Sequence, residues 1–122
     1  MTCIPLDSDQ TKLIQELTGV IKPNEILYVN DLLINSNQRH IDRYEYSNRK
    51  PYGVFEDNEG AILRHHAIDY LHKAIFTNFD ILHEKTFEVV TMNGNRSKSI
   101  RIIGKKLTKA ATIISARYRY TV

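Results

Sequence analysis

Two arginines near the end of the chain are separated by a single residue. Arg117 and Arg119 belong to an alternating pattern that predicts a β-strand over about 112–121. Side chains two positions apart on a strand project from the same face, roughly 7 Å from each other. Guanidinium groups bind phosphate or carboxylate bidentately, so this spacing predicts an anion-binding strand face.

The two parts of the chain differ in charge. Residues 1–87 carry 13 acidic and 9 basic side chains, whereas residues 88–122 carry 1 and 8, and the net charge of the whole is +3. Basic side chains concentrated on predicted strands are typical of surfaces that bind a polyanion, most often RNA or DNA. The predicted polyanion-binding residues are Arg96, Lys98, Arg101, Lys105, Lys106, Lys109, Arg117 and Arg119. The alternative is pairing with the acidic part of the same chain, since surface strands carry Lys and Arg that block edge association.

Three side chains of a predicted second helix offer metal-ligand chemistry. His65, Asp69 and His72 follow one another at i, i+4 and i+7, which places them on one helical face. Two imidazoles and a carboxylate are ligands that divalent metals accept. The same spacing is expected of a solvated face on which Asp69 pairs with Lys73. No established metal motif is present, so we predict no metal and no cofactor and keep these three residues as candidates.

A metal-independent ribonuclease is an alternative function. Such an enzyme needs a general base, a general acid and a cation near the phosphate. His65 or His66 with Tyr118 would transfer protons, and Arg117 and Arg119 would hold the phosphate, if the second helix packs beside the last strand. Small toxin ribonucleases share this outline of helices followed by a basic sheet, which is a likeness of architecture alone. We therefore favour a binding protein over an enzyme.

The predicted helices come from apolar stripes. One stripe at helical spacing predicts a first helix over about 9–21, and another predicts the second helix over about 65–78. Residues 25–34 fit either a strand or a short helix. Residues 39–46 alternate in part, as strand residues do.

Turn signals predict two hairpins. Residues 57–60 form a polar connection between two short apolar runs. Asn93-Gly94 joins strands over 87–92 and 98–103, to which the strand over 112–121 adds a third. The fold class that we predict is α+β, an antiparallel sheet with a C-terminal three-stranded meander and two helices packed on one face.

Length and composition limit the number of domains, the disulfide and zinc sites, and the cellular location that we expect. A chain of 122 residues, 42% hydrophobic and 25% charged, is expected to form a single folded domain over 1–122. The lone Cys3 excludes an intramolecular disulfide and a cysteine-rich zinc site. There is neither a leader pattern nor an apolar run of the roughly 20 residues that a membrane span needs, so a cytoplasmic protein with no membrane partner is expected.

Two segments carry a family resemblance. The first is the predicted opening helix, from Leu6 to Gly19. The second combines Arg101, Gly104-Lys105 and the ending Arg117-Tyr118-Arg119-Tyr120. These segments resemble the chorismate lyase-like superfamily, which includes the ligand-binding domains of GntR-type regulators. The resemblance covers less than a third of the chain and implies an antiparallel sheet with helices on one side.

The chain departs from that family at two places. Lys106 stands where the family has proline, and Ala110 or Ala111 stands where a glutamate that binds ligand or substrate is expected. The resemblance therefore implies a non-catalytic domain that binds an anionic small molecule or an acidic protein partner. The leading expectation is a nucleic-acid-binding protein, and the alternatives are the ribonuclease and this lyase-like binder.

Overall fold

The computed structural model describes residues 1–90 and 94–108. These residues form three helices and five strands, which follow one another as α1 (Asp7–Val20), β1 (Ile26–Leu32), α2 (Gln38–Ser47), β2 (Val54–Glu56), β3 (Ile62–Arg64), α3 (Ile68–Ile75), β4 (Phe79–Val90) and β5 (Arg96–Lys106). The predicted α+β class with an antiparallel sheet is confirmed. Within the described ranges, no helix is both long enough and apolar enough to cross a membrane.

Strand β5 is the centre of the main sheet, which has the order β1-β5-β4. Ile102 pairs with Val29 on one side and with Glu84 on the other, and both pairings are antiparallel. The predicted pairing of the strands on either side of Asn93-Gly94 is therefore confirmed, and both strands are longer than predicted. The predicted strand over 112–121 lies outside the described residues. Residues 26–32 belong to the segment for which the sequence allowed either a strand or a short helix. They form the strand beside β5.

The main core lies between this sheet and helices α1 and α3. Its buried residues are Leu33, Leu71, Ile75, Phe76, Phe79, Ile100 and Ile102. On α1, Ile14 packs against them. A Cβ atom at Gly104 of β5 would lie 2.7 Å from the ring of Phe76, so the close approach of α3 to the sheet requires glycine there.

Residues 39–46 form a helix rather than the strand that their partial alternation indicated. The side chain of Asn37 caps this helix by accepting a hydrogen bond from the backbone N–H of His40 at 3.0 Å. His40 and Tyr44, one turn apart, are buried, whereas Tyr46 is 94% exposed. The burial therefore follows the helical period.

The β2–β3 hairpin is confirmed. Phe55 pairs with Leu63, and the carboxylate of Asp57 accepts hydrogen bonds from two backbone N–H groups of the connecting turn. The hydroxyl of Ser47, at the end of α2, donates to the carbonyl of Val54 at 2.7 Å. This contact places α2 beside the hairpin and defines the walls of the site described next.

Candidate functional site

A cavity of about 320 Å³ lies between helix α2, the β2–β3 hairpin and strand β5. The polar and aromatic side chains that line it are Arg39, His40, Arg43, Phe55, Asp57, Asn58, Glu59, His65 and Ser97. Its volume is at the lower end of the range for ligand pockets, which suits a small molecule.

His65 follows strand β3 and is 3% exposed. Its backbone N–H donates to the carbonyl of Gly53 at 3.0 Å, and a Cβ at Gly53 would lie 2.4 Å from the carbonyl oxygen of His65. Gly53 also has a φ of +107°, so only glycine fits this position well. The ring of His65 has its Nδ1 atom 2.6 Å from the hydroxyl of Tyr44. Burial, and then His40, lower the pKa of His65 to about 4, so its imidazole is neutral at pH 7.

His40 supplies a second buried imidazole to the cavity. Its Nδ1 atom lies 2.5 Å from Oδ1 of Asn37, and its Nε2 atom lies 3.2 Å from the hydroxyl of Ser97 on β5. Burial lowers the pKa of His40, and the positive charges of Arg39 and Arg43 lower it further. The His40 and His65 rings are 5.6 Å apart between centroids, so the cavity holds two imidazoles that favour the neutral form.

Aromatic and cationic groups complete the cavity wall. The ring of Phe55 lies edge-on to His65 at 4.8 Å between centroids, and the guanidinium of Arg43 lies 5.6 Å from the centre of the Phe55 ring. Arg39 is one helical turn before Arg43. Neither arginine forms an ion pair with another residue in the described part of the chain. The cavity wall therefore combines an apolar ring with two arginines, and the carboxylates of Asp57 and Glu59 line the same space.

An open groove of about 640 Å³ adjoins the cavity. Three residues line both spaces: Arg43, Asp57 and Asn58. The groove adds the exposed ring of Tyr46, the carboxylates of Asp42 and Glu56, and the guanidinium of Arg49, which pairs with Glu56 at 3.7 Å. The two spaces therefore adjoin at these three residues, and both are partly open to solvent.

His66 belongs to a different polar network. Its Nε2 atom accepts a hydrogen bond from the side-chain amide of Gln10 at 2.9 Å, and the hydroxyl of Tyr70 donates to that same amide group at 2.6 Å. Nδ1 of His66 is 3.5 Å from the carboxylate of Asp31, which lies 3.3 Å from the amino group of Met1. Burial lowers the pKa of His66, although Asp31 opposes that shift. The adjacent histidines His65 and His66 therefore contact separate sets of groups.

The predicted polyanion-binding residues of β5 do not share one face of the sheet. Because side chains alternate along a strand, Arg96, Lys98 and Lys106 project to one side, and Arg101 and Lys105 project to the other. Several of them already have partners within this chain. Arg96 forms an ion pair with Glu88 at 3.3 Å, and the guanidinium of Arg101 lies 5.8 Å from the ring centre of Phe87.

Lys106 has a structural contact that its charge alone did not indicate. Its Nζ atom donates to the carbonyls of Thr18 and Ile21, at 2.5 and 2.6 Å, at the end of helix α1. A lysine at this position satisfies carbonyls that have no partner within the helix. The side chain therefore joins α1 to the central strand.

The remaining sequence candidates are spread over the molecule. His65 precedes helix α3, which begins only at Ile68, so it does not share a helical face with Asp69 and His72. His72 instead contacts Glu84 on β4. Within residues 1–90 and 94–108, no group of three or more potential metal ligands is present. Lys109, Arg117, Tyr118 and Arg119 lie outside the described residues.

The fold has a relative among solved structures. The chain is similar to a crystal structure of a SAM-dependent methyltransferase from Methanosarcina mazei, with a TM-score of 0.79 and 25% sequence identity. The alignment covers 88% of this chain and 56% of that protein, so this chain spans little more than half of its length. No protein-family model matches this chain, and a search of curated proteins found no significant match.

This similarity corrects two expectations from the sequence. The resemblance to the chorismate lyase-like superfamily is wrong, because the structural match is to a methyltransferase and no lyase-like family model matches. The leading expectation of RNA or DNA binding is also wrong, since the fold matches that of a SAM-dependent methyltransferase. Neither alternative, the ribonuclease or the lyase-like binder, is supported by the match. The physical reason is that the basic residues of β5 lie on two faces of the sheet, so their number alone did not indicate a single binding surface.

The sequence analysis missed the residues that form the cavity with His65. Arg39, His40, Arg43 and Tyr44 lie in a segment that it read as a strand. One local signal was present: Asn37, a favoured N-cap residue, is followed by His40 and Tyr44 at helical spacing. No local pattern in the sequence indicated the contact between Tyr44 and His65, which are 21 positions apart.

Proposed function

We propose that this chain is the part of a small-molecule methyltransferase that binds both the acceptor molecule and S-adenosylmethionine. The observation that carries this proposal is the structural similarity to a SAM-dependent methyltransferase over 88% of the chain. The cavity supports it, since a pocket of about 320 Å³ suits a small acceptor molecule. Because the chain spans 56% of that protein, other parts of such an enzyme would have no counterpart here.

The imidazoles of the cavity suit an acceptor that loses a proton. Methyl transfer to a hydroxyl or amine nucleophile requires a base at or near the reacting atom. Burial lowers the pKa of His40, so its ring is neutral at pH 7 and one ring nitrogen has a lone pair that could accept a proton if its hydrogen bond were exchanged. Phe55 and the cationic Arg43 beside it would hold a planar acceptor against the wall of the cavity.

The adjoining groove has suitable chemistry for the methyl donor. S-adenosylmethionine supplies a methyl group bound to a positively charged sulfur, beside an adenine ring and a ribose diol. Tyr46 would stack on the adenine ring, and the carboxylates of Asp42 and Glu56 would bind hydroxyl or ammonium groups. Nucleotide-binding folds commonly use a parallel sheet with a glycine-rich turn. The described residues form neither, so recognition would depend on these side chains.

Calorimetric titration with S-adenosylmethionine tests this function. Wild-type protein is expected to bind the compound, and Tyr46→Ala is expected to weaken binding about 5- to 100-fold, the cost of losing one aromatic stacking partner. Tyr28→Ala is the matched control, because Tyr28 is also an exposed tyrosine but lies on β1, away from the groove. Absence of binding to the wild type, or equal loss in both variants, would contradict the proposal.

A further inference from the structure

The hydrogen bonds of His40 determine which of its ring nitrogens carries the proton. Oδ1 of Asn37 accepts from the backbone N–H of His40, so this oxygen, and not the amide nitrogen, faces the histidine. The same oxygen lies 2.5 Å from Nδ1 of the ring, which must therefore be the donor. In the neutral ring Nε2 then has a lone pair, which accepts from the hydroxyl of Ser97 at 3.2 Å.

The hydrogen bonds of His65 determine the opposite arrangement. The backbone N–H of Asn35 donates to the hydroxyl oxygen of Tyr44 at 3.1 Å, so that oxygen acts as the acceptor in this bond. The side chain of Asn35 also hydrogen-bonds to this hydroxyl. Burial raises the pKa of Tyr44, and the hydrogen bonds from Asn35 oppose that rise, as those of a donor do. Nδ1 of His65, at 2.6 Å, is therefore the partner that accepts the hydroxyl proton. Nδ1 of His65 therefore has the lone pair, and Nε2 carries the proton.

We infer that His40 and His65 are held in opposite tautomers, so that the cavity presents a hydrogen-bond acceptor and a donor side by side. The two rings are 5.6 Å apart between centroids, and both line the same cavity. A matching ligand carries a hydroxyl or N–H group next to a carbonyl oxygen. Its donor faces Nε2 of His40, and its carbonyl oxygen faces the N–H of His65.

This inference deepens the proposed function and rests on it for the identity of the reacting atom. In a methyltransferase the oxygen or nitrogen of that group would bond to the methyl carbon as the carbon–sulfur bond breaks, which would leave S-adenosylhomocysteine, and the proton of the group would move to Nε2 of His40. Ser97 would shift its hydrogen bond as the ligand enters, because it donates to that same nitrogen. His65 would remain a hydrogen-bond donor throughout, held by Tyr44.

Nuclear magnetic resonance of protein with ¹⁵N-labelled histidine tests the tautomers without any ligand. Long-range proton–nitrogen correlations are expected to show the proton on Nδ1 of His40 and on Nε2 of His65 at pH 7. Tyr44→Phe is expected to release the tautomer of His65 and to leave that of His40 unchanged. Tyr52→Phe, whose ring packs on Tyr44 at 5.2 Å, is the control. The same tautomer in both wild-type rings would overturn the inference.

Titration with salicylamide tests the ligand class. Salicylamide has a hydroxyl next to a carbonyl, and benzamide lacks only the hydroxyl. We expect salicylamide to shift the His40 and His65 signals and to bind about 3- to 10-fold more tightly than benzamide, the effect of one net hydrogen bond. Equal affinities, or no binding of salicylamide, would overturn the ligand class. Failure to bind S-adenosylmethionine would instead contradict only the proposed function, because neither measurement here involves that compound.

Discussion

The hydroxyl of Tyr44 donates a hydrogen bond to Nδ1 of His65 over 2.6 Å, although the two residues are 21 positions apart in the chain. Tyr44 belongs to helix α2, and His65 follows the second strand of the neighbouring hairpin. Both residues are buried, so the bond is shielded from water and joins the two walls of the cavity.

Removing this hydroxyl should destabilise the protein. Tyr44→Phe leaves Nδ1 of His65 and the backbone N–H of Asn35 without their partner, at a cost of about 1–3 kcal/mol. Urea denaturation followed by circular dichroism measures the change. Tyr46→Phe is the control. Because Tyr46 is 94% exposed, removing its hydroxyl should leave the urea midpoint unchanged. Equal midpoints for the two variants would show that the buried bond adds no stability.

The stability should fall on mild acidification. The pKa of His65 is about 4 in the folded protein and about 6.5 when unfolded, so the unfolded chain binds protons first as the pH falls. The neutral, buried form of His65 therefore contributes about 3 kcal/mol to the free energy of unfolding above pH 6.5, and this contribution is lost as the pH falls from 6.5 to 4. The charged or titratable neighbours of His65 are Tyr44, which contacts its ring directly, and His40, Asp31, His66 and Arg43.

A histidine substitution separates this effect from general acid unfolding. His65→Gln should reduce the slope of the free energy of unfolding against pH between 4 and 6.5, whereas His83→Gln, at an exposed site on β4, should not. Chemical denaturation at half-unit pH intervals gives both slopes. A slope that is unchanged in His65→Gln would show that other groups determine the acid sensitivity.

Two glycine substitutions should have opposite effects. Gly104→Ala places a methyl group 2.7 Å from the ring of Phe76 and should destabilise the protein by about 1–3 kcal/mol. Gly19→Ala, in helix α1 with no atom within 4 Å of the new methyl group, should stabilise it by up to about 1 kcal/mol. The shift in melting temperature measures each effect, and shifts of the same sign would contradict the close packing of Gly104.

Lys106 should matter more for stability than its neighbour. Lys106→Met removes the donor to two carbonyls at the end of α1 and should cost about 1–3 kcal/mol. Lys105→Met removes the same charge at the adjacent position of β5, on the opposite face, and should change stability by less than about 0.5 kcal/mol. Comparison of the two denaturation midpoints separates the helix contact from the net charge.

The sequence predicted those parts of the fold that depend on local signals. The pairing of β4 with β5 followed from alternation on both sides of Asn93-Gly94, and the β2–β3 hairpin followed from its polar turn. The position of β1 beside β5 was not predictable in this way, since Val29 and Ile102 lie far apart in the chain. The expectation of one domain over residues 1–122 stays a prediction.

The candidate site was missed for two physical reasons. Helix α2 is only 10 residues long, so its few apolar positions fit a strand period nearly as well as a helical one. The chemistry also depends on contacts between Tyr44 and His65 and between His40 and Ser97, which no local pattern specifies. The distribution of basic residues over two faces, by contrast, was already present in the odd and even positions of β5.

The cavity is assembled almost wholly from one short stretch of chain. Apart from Leu32 and Ser97, its lining residues fall between positions 39 and 65, whereas the main sheet joins strands from both ends of the described chain. Contacts of short sequence separation form quickly and open as cooperative units of their own. Hydrogen exchange is therefore expected to show helix α2 and the hairpin opening together at a lower free energy than β5. In that case a bound ligand would stabilise the unit formed by helix α2 and the hairpin more than it stabilises the main sheet.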